Sequence, residues 1–317
     1  MDLTFLALQA EQTAAPVLPG GNPRTFLFIA AIYLMLILAG MVLAFYLCDR
    51  LRSGRLSWEE RLTRLKNRPW QWREAGFLAL FLGMAEAMVA WLMMISAHIK
   101  SAVFNLLNAA GLPSSWIGFD APDWLLLLVQ IIFFHVLGLA AIVIMVRGKR
   151  CDAFGVFGAG QPGLLRQAGA GAVFYLASLP FVLFGAIVYN VVLYRFDVKP
   201  EPQGLLELLL AAPAGVRVVL VLSAFLIAPI FEEALFRGIG LPLFIRRFGG
   251  GAAIVMVSAL FAGLHFHLSS FLPLFILAIA FSLAYVYTGS LVVPVVMHAL
   301  FNGVNLGLVM LVAAGGK

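Results

Sequence analysis

Long apolar stretches separated by short polar ones organise this chain. Runs near 25–47, 75–98, 124–146, 168–193, 216–240, 251–268, 271–288 and 290–313 are predominantly apolar. Each has roughly the 20 residues that a helix needs to cross about 30 Å of hydrocarbon. Lipid offers no hydrogen bonds, so each run must satisfy its own backbone groups, and a helix does so. A transmembrane barrel would show short alternating segments instead. The pattern predicts an all-α fold: a polytopic transmembrane bundle of about eight spanning helices. The last four runs are closely spaced and interrupted by Gly, Pro and polar residues.

The segments between the runs carry patterns of their own. In 48–74, Trp58, Leu62 and Leu65 recur at helical spacing among basic residues, which predicts an amphipathic helix on the membrane surface. Trp70 and Trp72 stand where an interfacial aromatic belt is expected. Residues 100–112 read as a short interfacial segment on the outer side. Residues 196–214, with Pro200, Pro202 and Pro213, read as an outer loop with a short helix. No internal repeat is visible. The 147–167 loop divides the chain. Residues 1–149 form an N-terminal three-helix membrane extension with a basic cytoplasmic loop. Residues 150–317 form the core that carries the candidate chemistry.

Composition agrees with the pattern. Of 317 residues, 63% are hydrophobic and 11% charged, with a mean hydropathy of +1.01. That charged share is under half of the ~25% usual in soluble domains. Residues 1–24 have no positive leading region, and the apolar run after them is too long for a cleaved signal peptide. Cys48 and Cys151 share no ligand spacing, so neither a zinc knuckle nor a disulfide framework is expected.

The net charge of +6 changes the picture only through its placement. Arg50, Arg52, Arg55, Arg61, Arg64, Lys66, Arg68 and Arg73 fill the first long loop. Arg147, Lys149, Arg150 and Arg166 fill the 147–167 loop, and Arg246 and Arg247 follow the fifth run. The alternate loops and the two ends hold only Arg24, Lys100, Arg195, Lys199, Arg217 and Lys317. Positive residues gather on the cytoplasmic side, so both termini are expected outside. This bias accounts for the basic balance, and no nucleic-acid partner is expected. The protein is expected to be an integral, multi-pass component of the bacterial inner membrane, with the lipid bilayer as its first partner.

Ionisable groups inside a bilayer are costly and mark function. Those within the runs are Glu86, His135, Glu232, Glu233, Arg237, His265 and His298, with the amides Gln130, Asn190 and Asn302. Glu233 and Arg237 are four apart and face one side of a helix, where they can pair. Glu232 lies about 100° round the helix and is left free to face a cavity. Desolvation there favours its protonated form, which suits a general base working near neutral pH. Phe261 and His265 share a face, and Gly263 between them predicts close approach of a neighbouring helix. His298 and Asn302 also share a face and make a polar patch able to hold a developing oxyanion. Glu59-Glu60 followed by Arg64 repeats the first spacing, but in the basic loop it reads as a solvated helix face. His135 has no motif partner and reads as a packing residue, while Glu86 reads as structural or as a partner of Arg237. His267 reads as an interfacial residue near the outer end of its helix. Asn190 and Gln130 read as bonding between helices.

Together, Glu232-Glu233-x-x-x-Arg237, Phe261-x-x-x-His265 and His298-x-x-x-Asn302 resemble the CAAX protease and bacteriocin-processing family, which includes the type II CAAX prenyl endopeptidases. The resemblance covers roughly residues 215–305. It implies a helical bundle around a conical cavity open to cytoplasm and lipid, and an endopeptidase acting on a membrane-associated peptide or membrane-protein substrate. By resemblance, Glu232 and His265 activate a water, His298 and Asn302 form the oxyanion site, and Glu233 and Arg237 support them. It also favours a metal-free mechanism with no cofactor, zinc being the alternative that a Glu/His set suggests. Two other readings compete. A proton-coupled transporter also uses membrane carboxylates and histidines, though matching halves are expected of it. A non-catalytic scaffold or immunity protein could keep the same fold.

Overall fold

The computed structural model describes residues 23–54, 56–110, 129–150, 152–158, 163–198 and 212–315. The readings of 1–22, of 111–112, of Cys151 and of the 199–211 stretch lie outside those residues. Each apolar run falls on a helix: α1 (Pro23–Arg52), α3 (Trp72–Ala109), α4 (Val129–Gly148), α5 (Leu164–Arg195), α6 (Ala214–Phe248), α7 (Gly250–Gly263), α8 (Phe271–Thr288) and α9 (Val292–Gly315). A short α2 (Trp58–Lys66) lies between the first two. Among the described residues, five helices are long and apolar enough to cross a membrane, and two shorter apolar ones stand beside them. The molecule is a helical membrane bundle.

Lipid is the solvent of this fold, so its outer surface is apolar. Phe77, Leu80, Met84, Phe181, Phe184 and Ile144 are all exposed on helices long enough to span. The interior is built differently, chiefly around two large clusters beside a small one at Ala212 and Leu220. One gathers Trp70, Leu78, Leu82, Ile142 and Val146 from the N-terminal part with Phe231, Ile239, Leu241, Val257 and Tyr285 from the C-terminal part. The other joins α5, α8 and α9 through Tyr175, Val182, Leu277, Phe281, Val293 and Met297. The two parts of the chain therefore share one core.

Four expectations change. Residues 100–109 continue α3, which runs unbroken for 38 residues instead of breaking into a separate interfacial segment. The amphipathic helix α2 turns its apolar side to protein: Leu62 and Leu65 are buried in the core, and Leu62 sits against Gly250 at the start of α7. The two expected belt tryptophans part company. Trp70 is buried and stacked on Phe157 (5.7 Å between centroids), whereas Trp72 stays exposed against Phe244. Finally, α7 stops at Gly263, which faces open space and brings no helix close. Its last turn tightens, with the Phe266 N–H donating to the Gly263 carbonyl, and Phe266 itself takes a positive φ of 48°. His265 and His267 therefore lie beyond a helix end.

The basic loop is pinned to the bundle by arginines. Arg246 donates to the carbonyls of Lys66, Arg68 and Trp70, satisfying the end of α2 and the turn after it. Arg68 reaches the carbonyls of Gly155 and Gly289. Arg61 donates to the Tyr287 carbonyl and lies over the Tyr287 ring. Ser57 and Glu60 form a capping box at the start of α2, so the second Glu-Glu pair serves a helix end.

Candidate active site

The site begins with α6, whose regularity is broken twice. π-helical turns occupy Ser223–Ile227 and Ala234–Gly240, on either side of the glutamates. A π-turn inserts a residue, rotates the face that follows, and leaves backbone groups out of register. One such carbonyl, Ala224 O, accepts a hydrogen bond from Asn302 Nδ2 at 2.8 Å. In lipid an unpaired carbonyl is costly, so this side chain from α9 supports the distorted turn. The helices come close beside it: a Cβ on Gly303 would stand 2.7 Å from the Phe225 ring.

Glu233 and Arg237 are fully buried and paired, with Arg237 Nη1 2.8 Å from Glu233 Oε1. The guanidinium also donates from Nη2 to the Ala278 carbonyl at 3.0 Å and lies over the rings of Phe261 and Phe281. His298 extends the network. Its Nδ1 is 3.0 Å from Glu233 Oε1, and its ring stacks on Phe281 and meets the edge of Phe261. An ionised carboxylate only accepts, so His298 donates from Nδ1 and its Nε2 points away from Glu233.

That second nitrogen faces Glu232, at 3.8 Å from Oε2. The other oxygen, Oε1, is 3.6 Å from His135 Nε2. Glu232 Oε2 is buried, and no described protein group donates a hydrogen bond to it. The burial that was expected to govern this carboxylate is thus opposed by an imidazole on each side. His265 stands nearer the exterior. It is exposed, packs on Phe261 at 4.8 Å, and directs Nδ1 to the Phe261 carbonyl at 2.7 Å. It still interacts electrostatically with Glu232.

Sequence reading therefore finds Glu232, Glu233, Arg237 and His298 side by side. It places Asn302 one turn from His298 but misses the bond that this amide makes to α6. It misses His135 altogether as a neighbour of Glu232. The available signal was an ionisable residue within an apolar run. Without a motif partner it had no address, because the contact depends on the π-turn Ile132–Val136 in α4. Glu86 is not the partner of Arg237: its Oε2 accepts from Gln130 Nε2 at 3.2 Å, the interhelical bond expected of Gln130. His267 directs Nδ1 to the Ser270 hydroxyl at 2.8 Å. Among the described residues, no group of three or more His, Cys, Asp or Glu side chains is arranged to hold a metal ion.

An apolar bundle with a buried acid–imidazole cluster defines an integral membrane protein with a polar site between its helices. Residues 213–304 match the family model described as type II CAAX prenyl endopeptidase Rce1-like, so this part of the chain is similar to that family. The match runs from α6 into the first half of α9 and includes every cluster residue except His135. It supports a CAAX-type intramembrane protease kind of function. No curated protein and no solved structure matches the chain.

Proposed function

We propose that this protein is an intramembrane endopeptidase that hydrolyses a peptide bond of a membrane-associated substrate through water activated by Glu232. Candidate substrates are a prenylated CAAX-type peptide or a leader peptide. The observation that carries the reading is Glu232 Oε2, a buried carboxylate oxygen that accepts no hydrogen bond from the described protein groups and faces an imidazole. A general base needs such an open acceptor within reach of the water it deprotonates.

In this reading Glu232 takes a proton from water while the water oxygen attacks the peptide carbonyl carbon. His265, at the exposed edge, assists from the side on which substrate arrives. The oxyanion forms against the second amide N–H of Asn302, the first being already given to Ala224, and against His298 Nε2, which donates there only when both ring nitrogens carry protons, Nδ1 being given to Glu233. The proton on Glu232 passes to the leaving nitrogen as the C–N bond breaks, giving a carboxylate and an amine. Glu233 and Arg237 hold His298 in place. The scheme needs no metal or other cofactor. The protein sits in the bacterial inner membrane with its basic loops in the cytoplasm and both termini outside. In support, Lys149 pairs with Glu74 and Arg246 grips 66–70, so three basic loops meet at one end of the bundle.

The test is cleavage of a membrane-anchored peptide by the reconstituted protein, compared with Glu232→Ala, His265→Ala and His298→Ala. Each substitution is expected to reduce the rate by at least about 100-fold, the usual scale for removing an acid–base group. Undiminished cleavage in all three would end the proposal. A chelator in the same assay is expected to leave the rate unchanged; a loss restored by added zinc would replace the metal-free scheme.

A further inference from the structure

We propose that His135, which comes from the N-terminal part of the chain and outside the matched segment, is a positioning residue for Glu232. Its Nε2 holds carboxylate oxygen Oε1, so that Oε2 is the oxygen left to take a proton. This rests on the reading of Glu232 as the base and adds a side chain that neither the three motifs nor the family match contains.

The geometry divides the carboxylate between two rings. His135 Nε2 stands 3.6 Å from Oε1 and His298 Nε2 3.8 Å from Oε2. A carboxylate gripped at one oxygen only is free to swing about its last torsion, which is broad for a glutamate. The His135 ring beside Oε1 limits that freedom and leaves Oε2 turned toward the His298 side, without a hydrogen bond from the described protein groups. The other nitrogen of His135, Nδ1, lies 3.3 Å from the Ile131 carbonyl; a carbonyl and a carboxylate both accept, so the ring makes both contacts together only with a proton on each nitrogen. The faces of its ring are constrained as well: Phe134 and Phe231 meet it nearly at right angles, at 5.3 and 5.5 Å. Phe231 is the residue next to Glu232, so the ring and the carboxylate share one support.

Local sequence explains why α4 can deliver this side chain. The π-turn Ile132–Val136 carries both Phe134 and His135. One turn further on, Gly138 lets α4 press against α6, where a Cβ would stand 2.5 Å from Phe231 Cε2. Among the described residues, His135 has one carboxylate partner. From α6 it meets Glu232, while Glu86 on α3 is engaged by Gln130. Glu233 is committed to Arg237 and His298.

The competing account is that His135 only fills space between two phenylalanines. Two substitutions separate these accounts. His135→Phe keeps an aromatic ring there and removes the nitrogen facing Glu232. His135→Gln loses the ring and supplies an amide N–H. With a membrane-anchored peptide as probe, His135→Phe is expected to lower kcat by about 100-fold, the scale of a misplaced reacting group. KM and the thermal midpoint in detergent should be nearly unchanged, and His135→Gln should recover most of kcat. His135→Phe at the wild-type kcat, or better than His135→Gln, would overturn the assignment. If His135→Phe does not fold, His135→Leu against His135→Gln makes the same comparison. Glu232→Gln in the same assay keeps the two ideas apart. If it is inactive while His135→Phe is fully active, only the role of His135 falls; if it cleaves normally, the reading of Glu232 falls first. A second readout needs no substrate. Labelling of Glu232 by dicyclohexylcarbodiimide, located by mass spectrometry, should change in His135→Phe and stay at the wild-type level in His135→Gln. Equal labelling in all three proteins would count against the contact.

Discussion

Arg237 shows how a charge survives in an apolar interior. Every strong partner it has is buried with it: the Glu233 carboxylate, the Ala278 carbonyl and the faces of Phe261 and Phe281. Removing one member leaves an uncompensated charge in low dielectric, which costs roughly 3–5 kcal/mol. Arg237→Ala should therefore lower the thermal midpoint sharply, and Arg237→Lys should rescue little. An ammonium has no planar fork to bond Glu233 and Ala278 together while stacking between two rings. A melting curve of Arg237→Lys matching wild type would show that charge alone suffices. This pair was legible from spacing, because four residues on a helix fix a contact whatever surrounds it. The Glu232–His135 contact was not, because it joins residues almost a hundred positions apart through an irregular turn. The exposure of His265 was equally hidden, since it follows from where α7 stops.

At the scale of elements, irregular turns decide the site. Helical periodicity predicted α6 as one apolar helix. It could not foresee two π-turns, which come from interhelical packing and from partners on other helices. Asn302 is the clearest case. Its amide reads as an oxyanion donor, but it also caps the Ala224 carbonyl. Asn302→Ala is thus expected to cost about 1–3 kcal/mol of stability, the penalty for a buried acceptor left unpaired, in addition to any loss of activity. Unaltered stability would mean that the amide does not support the turn. A second prediction concerns α2. The Ser57 backbone and side chain both donate to Glu60, which holds this exposed carboxyl below the ordinary glutamate value. A lowered folded-state value contributes stability above the unfolded value, and that contribution disappears as pH falls through the folded one. Hydrogen exchange across Trp58–Lys66 should accelerate on acidification. Glu60→Gln, which can keep the capping box without titrating, should flatten that dependence.

Over the whole molecule, apolar runs gave away the architecture because bilayer thickness imposes a length on every crossing. Among the described residues each of the eight runs falls mainly on a helix, and one hydrophobic cluster crosses the expected frontier near residue 150. Trp70, Leu82 and Ile142 interlock with Phe231 and Tyr285. Surface patterning misjudged α2 and Trp70 for one reason: a basic amphipathic segment looks the same whether its apolar side meets lipid or protein. Because the core crosses that frontier, residues 150–317 expressed alone should not reach the thermal stability of the full chain, as melting of the two proteins would reveal. A fragment as stable as the whole would argue for separate units.

The acid–imidazole cluster is drawn from α4, α6, the turn that follows α7, and α9, so no partly inserted chain can contain it. During synthesis the acid of α6 is polymerised before His265 and His298 are added to accompany it. The proposed hydrolysis can therefore switch on only once α9 has docked, which spares a newborn chain, and its neighbours at the translocon, from premature cutting.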